Sequence, residues 1–221
     1  MGNITNDIVS EYIIEKTYAD FELQLEMESY AKENVVPIVS RDTLAFIKTL
    51  IEIKKPKKIL EFGTAIGYSS IMMCHTLNEN CTITTVERNE KRYLKAIENI
   101  KKAGYENKIS VIHADALDTK DILTKQTYDL VFIDAAKGQY KLFFDMIYDN
   151  VVPDGIIISD NIFHKSMVCE KDIADVERRQ RTIYRRMNEY LDFLTKPSEK
   201  FSTSLMPIGD GLAITYKRKD F

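Results

Sequence analysis

The pattern of the chain changes at Pro56, and this change constrains the fold more than any other feature. After Pro56, short runs of β-branched and aliphatic residues alternate with longer amphipathic segments. Strands that alternate with helices predict right-handed crossovers and a parallel sheet covered on both faces. The predicted strands are Lys58–Phe62, Thr82–Val86, Ile109–His113, Leu130–Ile133 and Ile156–Ser159. The predicted helices between them are Tyr68–Leu77, Glu90–Ala103, Lys120–Lys125 and Tyr140–Asn150.

The segments on either side of this alternating region differ from it. The first 55 residues carry apolar side chains at helical spacing, and the last helix among them is predicted over Ser40–Ile53. Towards the other end, Val176–Leu194 is predicted as a long charged helix. Two apolar runs, Thr203–Pro207 and Gly211–Tyr216, follow it. They are joined through Asp210-Gly211, a strong turn signal, which predicts an antiparallel hairpin.

These elements predict one α/β domain spanning residues 1–221, because a chain of 221 residues can bury one sizeable core. Residues 56–221 form the core, a doubly wound, mostly parallel, Rossmann-like sheet that ends in the antiparallel hairpin. Residues 1–55 form a cap of N-terminal helices.

Composition narrows the class of protein. The formal net charge is -3, so a role with nucleic acid would depend on a local basic face. The opening residues lack a basic segment followed by an apolar stretch, and no apolar run reaches bilayer length, so neither a signal peptide nor a membrane span is expected. Cys74, Cys81 and Cys169 form no CxxC pair, which is typical of reduced thiols in a cytoplasmic protein.

Ligands on such a sheet bind beyond the carboxyl ends of the strands. The first strand ends in Glu61-Phe62, and the glycines that follow it, Gly63 and Gly67, permit a tight turn with close approach of a ligand to the backbone. Ala65 stands where the dinucleotide fingerprint has its second glycine, which admits a pyrophosphate, and this favours a ligand without one. The alternative is a glycine turn that serves packing alone. The ExGxxxG pattern resembles motif I of the class I methyltransferases.

The next two strands also end near carboxylates. Glu87 ends the second strand and could accept hydrogen bonds from both hydroxyls of a ribose. Asp115 follows the third strand, where it could meet an adenine amino group, and the small Ala116 leaves room for the ring. Each acid alone is more often a helix cap or a solvated turn residue. Acids at three successive strand ends after a glycine turn favour a cofactor site.

Oxygen donors follow the fourth and fifth strands. Asp134 follows the fourth strand, and Asp160 and Asn161 follow the fifth, so we expect them at the edge of the sheet that carries the cofactor. Carboxylate and amide oxygens, without His or Cys, suit a hard cation such as Mg²⁺, with water and substrate completing its shell. The alternative for Asp160 and Asn161 is a plain turn.

Three segments, EFGTAIGYSS, IDAAKGQY and SDN, resemble the metal-dependent O-methyltransferases of the catechol and caffeoyl-CoA type, and the resemblance covers nearly the whole chain. It implies a class I methyltransferase fold, S-adenosyl-L-methionine as methyl donor, and Mg²⁺ or Mn²⁺ bound by Asp134, Asp160 and Asn161. It also implies that Lys137 is the catalytic lysine. The cofactor site that it implies is lined by Val39, Glu61, Gly63, Ser69, Glu87, Asp115, Ala116 and Asp134.

The implied chemistry suits these residue types. The acceptor hydroxyl must lose its proton, and a cation that contacts the oxygen stabilises the resulting anion. The charge of that cation would also favour the neutral amine of Lys137, which could then act as the base. The alternative for Lys137 is a solvated loop lysine. The histidines are weaker candidates: His75 is predicted on a helix surface, His113 at a strand end and His164 as the lining of a pocket.

Within that family, the segments VVPIVSRDTLAFI, SDNIFHKSMV, RRQRTIYRRMNEYLDFL and PIGDGLAITYKRK resemble the bacterial branch that methylates 5-hydroxyuridine at the tRNA wobble position, giving 5-methoxyuridine. The resemblance implies a tRNA anticodon loop as partner. O4 and O5 of 5-hydroxyuridine could chelate a metal as a catechol does, and an unpaired base can be splayed into a pocket. Arg178, Arg181 and Arg185 share a face of the predicted helix and are the candidate RNA-binding residues.

Two other functions stay open. One is an O-methyltransferase for small catechols or phenolic esters, in which the arginine-rich helix is a solvated face or contributes to an expected homodimer. The other is a nonenzymatic RNA-binding module on the same fold, but the intact set of Asp134, Lys137, Asp160 and Asn161 argues against it.

Overall fold

A computed structural model describes residues 7–78 and 80–219. Residues 1–6, which include the start of the predicted helical cap and the segment considered for a signal peptide, lie outside the described residues, as do residues 79, 220 and 221. The chain divides into two compact units, of which one is Glu11–Thr119 and the other contains residues 7–10 and 120–219. The single domain expected from the sequence stays a prediction.

The strands form one mixed sheet. They are β1 (Lys58–Phe62), β2 (Thr82–Glu87), β3 (Ile109–His113), β4 (Tyr128–Ile133), β5 (Val151–Ser159), β6 (Phe201–Met206) and β7 (Leu212–Lys217). The sheet has seven strands in the order β3-β2-β1-β4-β5-β7-β6. The pairs β1–β2, β2–β3 and β4–β5 are parallel, whereas β7 is antiparallel to β5 and β6. The predicted α/β class, with a mostly parallel sheet and a closing antiparallel hairpin, is confirmed.

The helices follow the predicted alternation with small shifts at their ends. They are α1 (Asp7–Lys16), α2 (Glu22–Glu33), α3 (Arg41–Lys54), α4 (Tyr68–Thr76), α5 (Glu90–Ala103), α6 (Lys120–Leu123), α7 (Tyr140–Ile147) and α8 (Arg181–Thr195). No helix among the described residues is both long and apolar enough to cross a membrane.

In the unit Glu11–Thr119, β1 is buried from its second residue onwards and contains one acid. Ile59, Leu60 and Phe62 are at most 1% exposed, as a strand covered on both faces requires. Burying each such side chain contributes about 1.5–3 kcal/mol. Glu61 is 0% exposed in the same strand, so its carboxylate must find hydrogen-bond partners inside the protein.

In the other unit, α7 and α8 pack through aromatic side chains. The rings of Tyr140 and Phe144 on α7 meet Tyr190 of α8 edge to face, at centroid distances of 6.0 and 6.2 Å. Tyr190 also forms a hydrogen bond of 2.7 Å with Ser159 at the end of β5. These contacts hold α7 and α8 beside the end of β5, where the predicted metal ligands begin.

The prediction of a long helix over Val176–Leu194 was wrong about where the helix begins. The α-helix begins only at Arg181, and Arg178 lies in a preceding 3-10 turn that spans Arg178–Gln180. Val176 is 3% exposed and has an extended ψ of 132°. The helix begins later than the spacing of the charged residues predicts, because Val176 is buried in an extended conformation.

Candidate active site

The glycine turn after β1 is tied to the end of β2. The backbone N–H of Gly63 donates to the carbonyl oxygen of Val86 at 3.1 Å, and that of Ala65 donates to Oε2 of Glu87 at 2.9 Å. Gly67 has a φ of 83°, in the left-handed region where a side chain would be strained. The turn and Glu87, predicted separately from two strand ends, therefore lie together.

Glu61 supports this turn from inside the unit. Ser69 and Ser70, in the first turn of α4, donate hydrogen bonds to the two oxygens of its carboxylate. Thr85 of β2 donates a third hydrogen bond, at 2.6 Å. Glu61 thus fixes the start of α4 and the neighbouring strand, while the contact of Glu61 and Ser69 with a cofactor stays a prediction.

Replacing Glu61 by alanine is expected to destabilise the protein by about 3–5 kcal/mol, because three hydroxyl groups lose their acceptor. Glu61→Gln should cost less, since an amide oxygen still accepts hydrogen bonds. Urea unfolding gives the free energies, with Ser110→Ala on the exposed side of β3 as control. A loss below about 1 kcal/mol for Glu61→Ala, the average for an arbitrary substitution, would contradict this role.

Glu87 keeps acceptor capacity beyond its bonds to the backbone. It is 7% exposed, and its Oε1 accepts the N–H of Asn89 at 2.8 Å while Oε2 accepts that of Ala65. A carboxylate offers about four lone-pair sites, so two remain for the hydroxyls of a ribose.

Asp115 caps a turn, which agrees with the alternative interpretation of this acid as a cap or turn residue. Its Oδ1 accepts the N–H of Leu117 at 3.1 Å, at the start of the 3-10 turn Ala116–Thr119. Its Oδ2 lies 3.7 Å from a guanidinium nitrogen of Arg88, whose side chain is largely exposed. The capping bond orients the carboxylate and leaves Oδ2 able to accept a further donor.

A partly buried polar network fixes the segment that carries Val39, and sequence reasoning missed it. Tyr68, the first residue of α4, donates to Glu28 at 2.7 Å and accepts from Gln24 at 3.0 Å, while Arg41 forms an ion pair with Glu28. Burial and the hydrogen bond to Glu28 raise the pKa of Tyr68 well above its usual value. Val39 is buried two residues before Arg41. No pattern indicated the network, because the contacts that Arg41 and Tyr68 make in it join residues 13 to 44 positions apart in the chain.

The predicted metal ligands come together after β4 and β5. Nδ2 of Asn161 donates to Oδ1 of Asp134 at 3.0 Å, which leaves the amide oxygen of Asn161 as an acceptor. Asp160 is 3% exposed, and its Oδ1 accepts the N–H of Asn161 at 2.7 Å. The hydroxyl of Tyr140 donates to the backbone oxygen of Asp160 at 2.9 Å, so α7 holds the end of β5 in place.

The two carboxylates lie where negative charge is disfavoured. Burial raises the pKa of Asp134, while the charge of Lys137 and the hydrogen bond from Asn161 oppose that shift. Burial, and then the charge of Asp134, raise the pKa of Asp160 well above its usual range. A divalent cation would offset both penalties because it attracts both carboxylates.

The donor set fits a hard cation only when the amide is counted. Within residues 7–78 and 80–219, no group of three or more His, Cys, Asp or Glu side chains could hold a metal ion. Two carboxylates and the Asn161 oxygen make an all-oxygen set, which suits Mg²⁺ or Mn²⁺ and leaves further positions for water and substrate. The amide oxygen is thus the necessary third donor.

Lys137 is held by two side chains from distant parts of the sequence. It begins the 3-10 turn Lys137–Gln139, and its Nζ lies 3.0 Å from Nδ1 of His164 and 3.6 Å from Oδ2 of Asp210. Burial, and then the charge of Lys137, lower the pKa of His164, so the neutral imidazole is favoured. Sequence reasoning identified Lys137, treated His164 as the lining of a pocket, and saw in Asp210 only a turn residue.

The arginines in and before α8 are of two kinds: some bond to the backbone of the protein, and others are exposed and form no such bond within the described part of the chain. Arg181 donates to a backbone carbonyl oxygen at 3.0 Å, and Arg186 donates to that of Gly138, beside Lys137, at 3.2 Å. Arg178 lies outside the helix whose face it was predicted to share. Arg178 and Arg185 are exposed, and neither has an ion pair among the described residues.

The model of the O-methyltransferase family matches residues 16–218. The chain belongs to this family. A solved structure from Staphylococcus aureus, provisionally named a caffeoyl-CoA O-methyltransferase, is 35% identical to the chain, with a TM-score of 0.88 over 96% of this chain and 100% of that one.

Two curated relatives extend the comparison of this O-methyltransferase. The caffeoyl-CoA O-methyltransferase of Stellaria longipes is 26% identical over 99% of this chain and 92% of its own length. The catechol O-methyltransferase of Niastella koreensis is 29% identical over 79% of this chain and 81% of its own length. The family expected from the motifs is confirmed, and the finer assignment to the tRNA branch stays a prediction.

Proposed function

We propose that this O-methyltransferase transfers the methyl group of S-adenosylmethionine to one hydroxyl of a vicinal aromatic diol, as in small catechols and phenolic esters, with a divalent metal as cofactor. The observation that carries the proposal is the cluster of Asp134, Asp160 and Asn161, with Lys137 three residues after Asp134. The three side chains leave positions open in the coordination shell of a cation, and two neighbouring oxygens of a diol can fill them. The names of the catechol and caffeoyl-CoA relatives support this substrate class.

Glu87 and Asp115 would recognise the nucleoside of the methyl donor. The free lone pairs of Glu87 suit two ribose hydroxyls, and Oδ2 of Asp115 suits the adenine amino group. The turn that contains Gly63 and Gly67 allows close approach of the ligand, and Ala65 in place of a glycine suits a donor without a pyrophosphate.

Replacing Glu87 by alanine is expected to weaken binding of S-adenosylmethionine by about 1.5–3 kcal/mol, the scale for hydrogen bonds to a charged group. Titration calorimetry with the donor and with its demethylated product measures the change. Glu90→Ala, three residues later in α5 and exposed, should leave the affinity unchanged. Equal affinity of the parent and Glu87→Ala, or a preference of the parent for NAD, would refute the cofactor assignment.

The residues of the metal cluster and Lys137 would divide the chemical work. A bound divalent cation supplies charge that stabilises the deprotonated acceptor hydroxyl. Asp134, Asp160 and Asn161 would hold that cation through their oxygens. Nζ of Lys137 would take the hydroxyl proton, and neutral His164 would accept a hydrogen bond from an N–H of the same amine, which leaves the nitrogen lone pair for the acceptor. The deprotonated acceptor oxygen would then be free to take the methyl group, for which the bound donor would supply a sulfonium that departs as a neutral thioether.

A panel of small acceptors tests the proposal. With S-adenosylmethionine and Mg²⁺, the protein should methylate catechol and caffeoyl esters. It should leave phenol and resorcinol unmodified, because neither offers two neighbouring oxygens. Product analysis by mass spectrometry measures the outcome. Equal methylation of phenol and catechol would show that chelation by a diol is not required.

The wobble base 5-hydroxyuridine is a second candidate acceptor, favoured by Arg178 and Arg185, which are exposed and form no ion pair within the part of the chain that the structure describes. If these arginines contact phosphates, reversing both to Glu should raise the KM for an anticodon stem-loop and reduce its salt slope by roughly 1.5, while catechol methylation is unchanged. Arg181 is unsuitable for this test because it bonds the backbone. Parallel salt dependences for parent and variant would exclude this surface from RNA recognition.

A further inference from the structure

The turn between β6 and β7 is bonded to the segment that follows the metal cluster. The N–H groups of Ile162 and Phe163 donate to the backbone oxygens of Gly211 and Asp210, at 3.1 and 3.0 Å. The N–H of Lys165 donates to Oδ1 of Asp210 at 2.6 Å. One hairpin turn thus binds three N–H groups of residues 162–165.

This binding holds a strained stretch of backbone. His164, Lys165 and Ser166 have φ values of 47°, 56° and 65°, a left-handed region that residues other than glycine adopt only when their surroundings impose it. The turn lies directly against the stretch, because a Cβ added to Gly211 would lie 2.2 Å from the ring of Phe163. The conformation that places His164 beside Lys137 therefore depends on the hairpin turn.

Asp210 connects this turn to the lysine as well. While its Oδ1 holds the backbone of Lys165, its Oδ2 lies 3.6 Å from Nζ of Lys137. His164, carried by the same stretch, lies 3.0 Å from the same nitrogen. A lysine side chain has four flexible methylene bonds, so its amine takes one position only when it is held from more than one side.

We infer that Asp210 is a positioning residue for Lys137. It acts directly through its charge and indirectly by holding the stretch that presents His164. A purely parallel nucleotide-binding sheet has no such antiparallel hairpin. Here the turn of the hairpin carries the residue that positions the proton-accepting lysine. This inference rests on the proposed function in assigning Lys137 as the base, but the position of its amine can be measured without any reaction.

The first measurement uses the ligand-free protein and trace labelling of lysines by acetic anhydride, read by peptide mass spectrometry. Asp210→Asn retains an oxygen for the N–H of Lys165 but removes the charge that faces Lys137. Labelling of Lys137 should rise roughly fivefold, the factor for losing one partly exposed ion pair. The matched control is Asp145→Asn, which removes the exposed pair of Lys141 and Asp145 and should leave Lys137 unchanged.

The second measurement separates positioning from general structural damage. Catechol needs its proton removed, whereas 4-nitrocatechol has a much more acidic hydroxyl and depends less on a base. Asp210→Asn should lower kcat for catechol at least tenfold more than kcat for 4-nitrocatechol, with both KM values unchanged. His164→Gln serves as a second variant and should show the same selective loss.

The outcomes are distinct. Faster labelling of Lys137 together with the selective loss on catechol supports the inference. Unchanged labelling of Lys137 in both variants, or an equal fall of kcat on both diols, overturns it. If the parent methylates neither diol, the proposed substrate class fails, and the labelling alone decides whether Asp210 positions Lys137.

Discussion

Replacing Asp160 by alanine is expected to lower kcat for methyl transfer by about 10²–10⁴-fold, because a metal that stabilises the acceptor anion contributes several kcal/mol to the rate. Asp160 is one of only two carboxylates in the cluster, and the third donor is the neutral amide of Asn161. Removing the carboxylate therefore leaves a single anionic ligand. The measurement is steady-state transfer to catechol at saturating S-adenosylmethionine.

Folding and cofactor binding should survive this substitution. The pKa of Asp160 is raised by burial and by the charge of Asp134, so the metal-free protein should tolerate loss of this acid. Asp154→Asn is the matched control, since Asp154 lies in β5, the strand that Asp160 follows, but pairs with the exposed Tyr216 and Lys219. Asp160→Ala with kcat within a factor of about two of the parent, under 0.5 kcal/mol, would remove the metal cluster from catalysis.

Substitution of Lys137 by methionine should have an effect of similar size. Methionine retains the apolar stem but has no amine, and general-base catalysis commonly contributes about 10²–10⁴-fold. The loss should be much smaller for 4-nitrocatechol than for catechol, because an ionised acceptor needs no base. Lys141→Met, one turn further along and exposed, is the control. Equal losses of kcat for the two acceptors would show that Lys137 does not accept the proton.

Much of the fold was predictable because local patterns determine it. The bounds of β1, β3 and α5 were predicted to the residue, since each is a short run rich in β-branched and aliphatic residues or an amphipathic stretch with clear end signals. The acids that follow the strands were predictable for a related reason. Parallel strands present their carboxyl ends at one edge, so Asp134, Asp160 and Asn161 could be grouped without coordinates.

The remaining features depend on contacts between distant parts of the sequence. Asp210 lies 73 positions after Lys137, and within its own segment it has only the pattern of a turn residue. Glu61 was expected in the cofactor site from its place near the end of β1, but its hydrogen bonds from three hydroxyl groups of α4 and β2 could not be read from the sequence. Arg181 looked like part of a basic face, yet it bonds a backbone carbonyl in a turn that spacing alone did not predict.

Removal and return of the metal test the central claim most directly. The purified protein is stripped with EDTA, and transfer of a radiolabelled methyl group from S-adenosylmethionine to catechol is measured before and after Mg²⁺ is restored in excess. The account predicts that transfer stops in EDTA and returns with Mg²⁺, while Asp160→Ala stays inactive in both conditions. Undiminished methylation of catechol by the stripped protein would contradict it, because Asp134, Asp160 and Asn161 would then have no metal to hold during catalysis.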